Sequence, residues 1–478
     1  MITHSQLGAP TVGVSPGEVG RRTRRRRGAP PTARLKTLLV FGLAALYPFH
    51  SIMVGLNVSR GDLLVAVVLV PILVGVLIGR IQVPRYVLHG LAFLGVALLS
   101  FLANVHQEGA YFSSYGSVTE MVKFVAAMAW MVAIFWLLKD DISNRLLLFA
   151  TVSVLLGSVF AGWSIFENIV LRVGRPTGPF ENPNVYGNYL VLIAVLLGVA
   201  TSLIRDQNLS AGTGVRSRWY RVFVSARLAL FPILILGILT TGSRGAMLGG
   251  LTALFVSTRL RMPRRVSIAR LGMGLVGVLV LVGSVTWFLR QDPHVLRRVQ
   301  GASRGEGPNV DARKILWSVA IETFAAHPVL GVGYGEYPYY TSTRLAELGL
   351  DPPHVTHQTY LSTAAETGLV GLLVLLWLFG AVLRDTRVAH PGPHSRVLLL
   401  GRAFVLATCV QGLVMNVEQV RSLWIMFGVI AALSLQSRMQ GNAGPVLATT
   451  DARAVGGSAG ADRPQLVGPA RRTRGRRR

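Results

Sequence analysis

Apolar runs long enough to cross a lipid bilayer recur along most of the chain. A helix needs about 20 mostly apolar residues to cross a hydrocarbon core of about 30 Å. Runs of this length begin near Thr37, Asp62, Arg85, Thr119, Arg145, Val185, Val222, Gly245, Leu271, Thr359, Val397 and Ser422. Only 14% of the 478 residues are charged, whereas an ordinary soluble domain has about 25%. The sequence therefore predicts an all-α, polytopic integral membrane bundle of about 12 transmembrane helices.

The distribution of basic residues predicts how the bundle is oriented. Lys and Arg gather in alternate links between the apolar runs, as in Arg80 and Arg85, or Arg259 to Arg270, whereas the link around 107–117 has none. Cytoplasmic loops carry such an excess of Lys and Arg. An even number of spans then places both termini in the cytoplasm. The net charge of +27 follows from these links and the two tails, so nucleic acid is not an expected partner.

Five segments follow from this topology. We expect residues 1–35 to be a disordered basic cytoplasmic tail, and residues 36–289 to hold transmembrane helices 1–9. Residues 290–358 form one large extracytoplasmic loop, residues 359–436 hold helices 10–12, and residues 437–478 form a second disordered basic tail. Both tails are rich in Arg and lack an apolar face, which is typical of disordered segments attracted to membrane lipids with anionic headgroups.

The first candidate site segment is RPTGPFENPNVYGN, residues 175–188, on the predicted outer face. Its glycines and prolines indicate a rigid turn, in which Arg175 stands among the amides of Asn182, Asn184 and Asn188. An arginine among amides suits a sugar or a phosphate group. The alternative is a helix N-cap with a tight turn.

The second segment is TTGSRGAMLGG, residues 240–250, between two apolar runs. Arg244 lies there at the predicted outer boundary of the membrane. A charge at that depth is costly and usually faces a cavity or a partner. The alternative is an arginine at a helix end whose side chain reaches to the headgroups.

The third segment is the large outer loop together with the run that follows it. A helix is predicted from Asp311 to Ala326, with Asp311 as its N-cap and with Arg313 and Trp317 on one side. Four tyrosines from Tyr334 to Tyr340 suggest a stretch at the membrane interface. His354 and His357 then lie where the chain re-enters the membrane.

A histidine at this position can act as a general base, because its pKa is near neutral. A metal site would need a third ligand, which the sequence does not offer beside His354 and His357. A plain interfacial histidine is the other alternative. Glu366 lies about two helical turns after His357 and either orients it or fills a polar pocket in the bundle. Arginines and histidine on one face of a membrane bundle fit recognition of an anionic lipid headgroup.

The order of these motifs resembles the O-antigen ligase and polymerase family of bacterial envelopes. The motifs are RxxGxFxNPNxxG, TxSRGA, RxxxW, HPxxGxGxG and HQxYLxxxxExGLxG, and the resemblance covers about Arg175 to Phe379. The resemblance implies a metal-independent, inverting glycosyltransferase of the cytoplasmic (inner) membrane that needs no cofactor. Its donor would be a glycan on polyprenyl diphosphate at the outer leaflet, and its acceptor a hydroxyl of a glycan, a lipid or a protein.

The resemblance also implies roles for individual residues. His357 would be the catalytic base, with His354 as the alternative, and Arg175, Arg244 and Arg313 would bind the diphosphate. Supporting roles would fall to Asn184, His354, Gln358 and Glu366. Gln358 stands where the family usually has Asn, and it keeps the same donors and acceptors.

Two other classes of function compete with glycan transfer. A transporter or flippase of lipid-linked glycans or other solutes would need polar residues along several spans, where only Lys123, Arg227 and Glu366 are candidates. A noncatalytic assembly or polymer-length factor would need no catalytic residue. Within the family, polymerase and ligase differ only in the acceptor, and the sequence does not separate them.

Overall fold

A computed structural model describes residues 31–49, 60–104, 114–180, 182–210, 218–259, 308–350, 355–387 and 394–442. These residues contain fourteen helices and no strand, so the all-α prediction is confirmed for this part of the chain. The helices are α1 Pro31–Leu46, α2 Arg60–Leu77, α3 Tyr86–Asn104, α4 Ser114–Leu138, α5 Ile142–Ile169, α6 Pro183–Ser210, α7 Arg218–Thr240, α8 Arg244–Arg259, α9 Pro308–Ala326, α10 Tyr337–Tyr340, α11 Ser342–Glu347, α12 Thr359–Asp385, α13 Ser395–Gln411 and α14 Arg421–Asn442.

Eleven of the twelve predicted apolar runs begin close to an observed helix. The largest difference is at α1, which begins at Pro31 where the run begins near Thr37. Helix α14 ends at Asn442, so the helical part is longer at both ends than the predicted segments. The predicted run at Leu271, the first part of the outer loop and His354 lie outside the described residues.

Seven of the described helices are long and apolar enough to cross a membrane, namely α2, α3, α4, α5, α6, α12 and α14. Helices α1, α8 and α13 are shorter, with 16, 16 and 17 residues. The apolar part of α7, Ser225–Thr240, is also short. Since a straight crossing takes about 20 residues, the described part of the chain supports a polytopic membrane protein with seven clear spans.

Helix α6 is the centre of the bundle. In its apolar window 83% of the residues are buried within the protein, compared with 33% for α2 and for α3. It packs against α5, α7, α8 and α13. Peripheral helices α2 and α3 keep apolar side chains such as Val67, Leu77 and Leu88 exposed, as expected of surfaces that face lipid.

Helix α12 is interrupted at Gly368, and the turn 328–336 fills the gap. Gly368 has φ 66° and ψ −167°, which breaks the helical ladder. The turn replaces the missing hydrogen bonds: Leu369 N donates to Pro328 O at 2.8 Å and Val332 N donates to Ala365 O at 3.0 Å. The backbone groups freed by the break therefore keep hydrogen-bond partners.

Two predictions about the outer loop are wrong in detail. The helix predicted to start with Asp311 as its N-cap begins at Pro308 instead, because proline suits the first helical position. Of the four tyrosines expected at a membrane interface, Tyr334 and Tyr337 are only 2% and 0% exposed and lie in the protein interior, whereas Tyr340 is 38% exposed. Tyr337 hydroxyl donates to Leu316 O at 2.7 Å, which joins the short helix α10 to α9.

The two ends of the bundle have different polar character. One end carries the starts of α6, α8, α12 and α14 and the segments 175–180 and 412–420. At the other end Asp385, the last residue of α12, accepts hydrogen bonds from the Tyr86 hydroxyl at 2.6 Å and from the Arg438 guanidinium at 3.2 Å, and pairs with Arg85. The segments predicted to face outward therefore gather at a single end.

Candidate active site

The candidate site is a cavity of about 320 Å³ at the end of the bundle where α6, α8 and α12 begin. This volume is within the range of small-molecule sites. The cavity is lined by Arg175, Asn184, Gly242, Ser243, Arg244, Gly245, Ala312, Arg313, Leu316, His357, Val414 and Met415. Three arginines and one histidine that are far apart in the sequence thus share one space.

Helix α8 points its N-terminus at this cavity. Gly242 has φ 60°, which lets the chain reverse between α7 and α8. Ser243 then caps α8, because its hydroxyl accepts from Ala246 N at 3.2 Å. Arg244 is the first helical residue and is exposed. Helix N-termini bind anions through unpaired N–H groups and the helix dipole, so the turn 242–245 adds positive potential to that of Arg244.

Arg175 is held at the cavity wall by two elements. Its Nε donates to Thr241 O at 3.2 Å and its Nη2 donates to Asn184 Oδ1 at 3.3 Å. The turn that carries Arg175 is anchored by Phe180, which is 3% exposed and packs on Tyr189 with a ring distance of 4.9 Å. These contacts join the segment before α6 to the α7–α8 turn.

The same turn also contains a helix N-cap, which is the alternative interpretation of the segment 175–188 given by the sequence. Asn182 Oδ1 accepts from Asn184 N at 2.8 Å, and Pro183 is the first residue of α6. Asn182 is therefore the N-cap, and Asn184, two residues later, lines the cavity. Asn188 is fully buried and is bonded to Gln411 and Ser422 within the bundle, away from the cavity lining.

Arg313 reaches the cavity from α9. Burial lowers the pKa of Arg313, and the positive charge of Arg244 lowers this pKa further. The guanidinium groups of Arg313 and Arg244 are thus close enough to repel each other. Two like charges held beside a helix N-terminus are stabilised when an anion lies between them.

His357 lines the same cavity from the short segment before α12, with a left-handed backbone at φ 53°. Non-glycine residues seldom adopt this conformation, and those that do often lie in functional sites. Its neighbours hold it there: Thr356 Oγ1 accepts from Gln358 N at 3.3 Å and donates to Gln358 O at 3.1 Å. The cavity therefore combines positive groups for an anion with an imidazole for proton transfer.

The family comparison agrees with this combination. Residues 229–376 match the family model described as O-Antigen ligase. The resemblance of the chain to the O-antigen ligase and polymerase family is confirmed. No curated protein matches the chain at a significant level.

The O-antigen ligase match includes Arg244, Arg313 and His357, but it begins after Arg175 and Asn184. The structure brings these last two residues to the same cavity from outside the matched stretch. Together with the seven apolar spans, the match implies a multi-pass protein of the inner membrane with a glycosyltransferase-like activity.

Two of the predicted supporting residues lie elsewhere. The side chain of Gln358 caps α12 by accepting from Leu361 N. Glu366 is 7% exposed and lies at the break of α12, where Ser362 Oγ is 3.4 Å from its carboxylate and Gly333 N donates to its carbonyl at 3.0 Å. Neither residue is among the described residues that line the cavity.

Several residues that line the cavity could not be predicted as site residues from the sequence. Leu316, Val414 and Met415 form an apolar wall, yet they look like ordinary core residues. Leu316 is one helical turn after Arg313 on α9, so its position follows once the helix is known. Val414 and Met415 lie in the turn between α13 and α14, and only the folded chain brings them beside α8.

Proposed function

We propose that this protein transfers a glycan from a polyprenyl-diphosphate carrier to an acceptor hydroxyl at the outer face of the inner membrane. The observation that carries the proposal is the convergence of three arginines, the N-terminus of α8 and one histidine on a single cavity. A diphosphate leaving group and a hydroxyl that must lose a proton need these two kinds of groups side by side.

Arg175, Arg244 and Arg313 would bind the diphosphate. Guanidinium groups make paired hydrogen bonds to phosphate oxygens, and the N–H groups at the start of α8 can donate further hydrogen bonds to these oxygens. In this proposal the arginines, and not a metal ion, stabilise the charge on the diphosphate. The repulsion between Arg244 and Arg313 would be relieved when the donor binds, which favours binding of a doubly charged headgroup.

His357 would act as the general base in a single displacement. Its imidazole takes the proton of the acceptor hydroxyl while the hydroxyl oxygen attacks the anomeric carbon of the donor sugar. The bond from that carbon to the diphosphate oxygen breaks, and the electron pair leaves on polyprenyl diphosphate. One displacement inverts the configuration at the anomeric carbon, and the arginines stabilise the charge that develops on the leaving oxygen.

The proposal is tested with purified protein, a polyprenyl-diphosphate glycan and an acceptor. Wild type should transfer the glycan, and His357→Ala should lose about 10² to 10⁴-fold in rate. Arg313→Ala should also lose transfer. Arg344→Ala is the matched control, because Arg344 is 53% exposed in an ion pair with Glu347 and is not a lining residue. A transporter would instead give no transfer by wild type.

The acceptor is a hydroxyl of a glycan, a lipid or a protein, and a deletion strain identifies which class it belongs to. Mass spectrometry of lipid-linked glycans would reveal what accumulates without the enzyme. Single lipid-linked repeats would identify a polymerase, and long lipid-linked chains would identify a ligase. Unchanged lipid-linked glycans would contradict the proposed donor.

A further inference from the structure

We propose that Trp317 and Thr356 are positioning residues that fix His357 at the distance from Arg313 required for transfer. This inference rests on the proposed function and adds two residues to which no role has been assigned. It is carried by hydrogen bonds that connect α9, the segment before α12 and the turn 412–417.

Trp317 makes the first connection. Its indole Nε1 donates to Thr356 O at 3.1 Å, across 39 positions in the sequence. Trp317 itself is partly buried and packs against the small hydrophobic cluster that includes Leu316, Val319 and Tyr337. The indole nitrogen is a donor only and has a single hydrogen to donate. This hydrogen bond therefore attaches the segment before His357 to α9.

Thr356 makes the second connection. It is 0% exposed, and its hydroxyl bonds both the N–H and the carbonyl of Gln358. These hydrogen bonds join the two sequence neighbours of His357 and close a tight loop around it. A left-handed conformation at a residue with a side chain persists only where the surroundings enforce it, and Thr356 supplies that constraint.

The far side of the loop is fixed as well. Thr359 N donates to Gly412 O at 2.8 Å, and Thr359 Oγ1 donates to Met415 O at 2.9 Å while accepting from Val417 N at 2.8 Å. His357 therefore lies between two attachments, α9 on one side and the turn 412–417 on the other. The second attachment also places the apolar wall of the cavity.

Helix α9 links the base to the anion site. Arg313 and Trp317 are four residues apart, so they lie on the same side of α9 one turn from each other. Arg313 contacts the cavity directly, and Trp317 sets the backbone that carries His357. One rigid helix thus determines the spacing between the group that binds the leaving diphosphate and the group that accepts the proton. Misplacement of about 1 Å can lower a rate about 10²-fold.

Trp317→Phe and Thr356→Val test the inference. Phenylalanine keeps the ring but lacks the N–H donor, and valine keeps the shape of threonine without the hydroxyl. Both variants should lower kcat by about 10- to 100-fold and leave KM for the lipid-diphosphate donor within about threefold of wild type, because the arginines are untouched. Thr356→Ser, which keeps the hydroxyl, should restore most of kcat.

Controls separate positioning from folding and from the proposed function. Trp163→Phe changes a tryptophan that is 52% exposed on α5 and should leave kcat unchanged. Wild-type kcat in Trp317→Phe and Thr356→Val, or an equal loss in Thr356→Val and Thr356→Ser, would overturn the positioning role while His357→Ala stays inactive. If His357→Ala transfers at the wild-type rate, it is the proposed role of His357 that fails. Should Trp317→Phe not fold, the Thr356 pair decides the matter alone.

Discussion

At the scale of single residues, the main feature of the cavity is electrostatic repulsion between positively charged side chains. Burial of Arg313 and the charge of Arg244 both lower the pKa of Arg313. Arginine tolerates this, because its ordinary pKa lies far above neutral and it keeps its charge when partly buried. Lysine would not, since its ordinary pKa is only about 10.4.

We therefore predict that Arg313→Lys makes donor binding sensitive to alkaline pH. Burial and a neighbouring cation disfavour the charged form, so the pKa of a lysine at this position falls below its ordinary value. The ammonium then loses its proton, and its affinity for diphosphate, as the pH rises toward 9.5. KM for the donor, measured between pH 7 and 9.5, should rise in Arg313→Lys and stay flat in wild type. Parallel profiles in the two proteins would contradict the account.

The charged residues of the site are predictable from the sequence, but the residues that support them are not. Arg175, Arg244, Arg313 and His357 stand out because charged or titratable residues are rare near membrane spans. Phe180, which anchors the Arg175 turn, looks like any apolar residue. Glu366 stands out in the sequence for the same reason, yet it lies at the break of α12. An acidic residue within an apolar run looks the same in the sequence whether it belongs to a functional site or stabilises the fold.

At the scale of elements, the interruption of α12 fixes the position of the helix that begins just after His357. The turn 328–336 inserts beside Gly368 and is attached to α3, where Asn104 Nδ2 donates to Gly331 O at 3.1 Å. Helix α3 also contacts α12 at the break, where Ser100 Oγ donates to Glu366 O at 2.7 Å. The first part of α12, which begins just after His357, is thereby fixed against α3 and α9. The sequence predicts a single uninterrupted run here, since hydropathy does not reveal a broken helix.

Gly368→Ala should destabilise the protein strongly. An added Cβ would lie 2.1 Å from Val329 O, and the positive φ of 66° disfavours alanine in any case. We expect a loss of about 2 kcal/mol or more in unfolding free energy, measured as a lower melting temperature in detergent. Gly380→Ala in the same helix is the matched control, with nothing within 4 Å of the added Cβ. It should be neutral or slightly stabilising. Equal effects of the two changes would contradict a built-in break.

Helix positions are the most predictable part of the fold. Apolar length and turn residues place the starts of α6, α8, α12 and α14 within a few residues, because each span must bury its backbone in helical bonds. Which helices touch is not predictable in this way. The pairing of α8 with α13 depends on Gly249, whose missing side chain leaves room for Gln411.

At the scale of the whole molecule, the cavity and the cluster around Asp385 mark opposite ends of the bundle. In the proposed function the cavity end faces outward, as the positive-inside bias of the sequence predicts. A glycan carried on the outer leaflet could then reach the cavity without crossing the membrane.

Cysteine labelling should place the two ends on opposite sides. In a Cys409→Ala background, Val355→Cys introduces a thiol at a position that is 41% exposed near His357, and Arg387→Cys introduces one just beyond α12. A membrane-impermeant maleimide added to intact spheroplasts should label Val355→Cys, and it should label Arg387→Cys only after permeabilisation. The reverse pattern would put the cavity in the cytoplasm and exclude an outer-leaflet donor.

The division of labour in the cavity is tested most directly by measuring donor binding and transfer in the same variants. Purified protein in nanodiscs is titrated with polyprenyl diphosphate, and transfer is followed in parallel. We predict that His357→Ala binds within about threefold of wild type but transfers at least about 10²-fold more slowly. The double variant Arg244→Ala, Arg313→Ala should bind at least about 10²-fold more weakly, because charge-assisted hydrogen bonds contribute about 1.5–3 kcal/mol each. Unchanged binding in the arginine variant, or undiminished transfer by His357→Ala, would contradict the account.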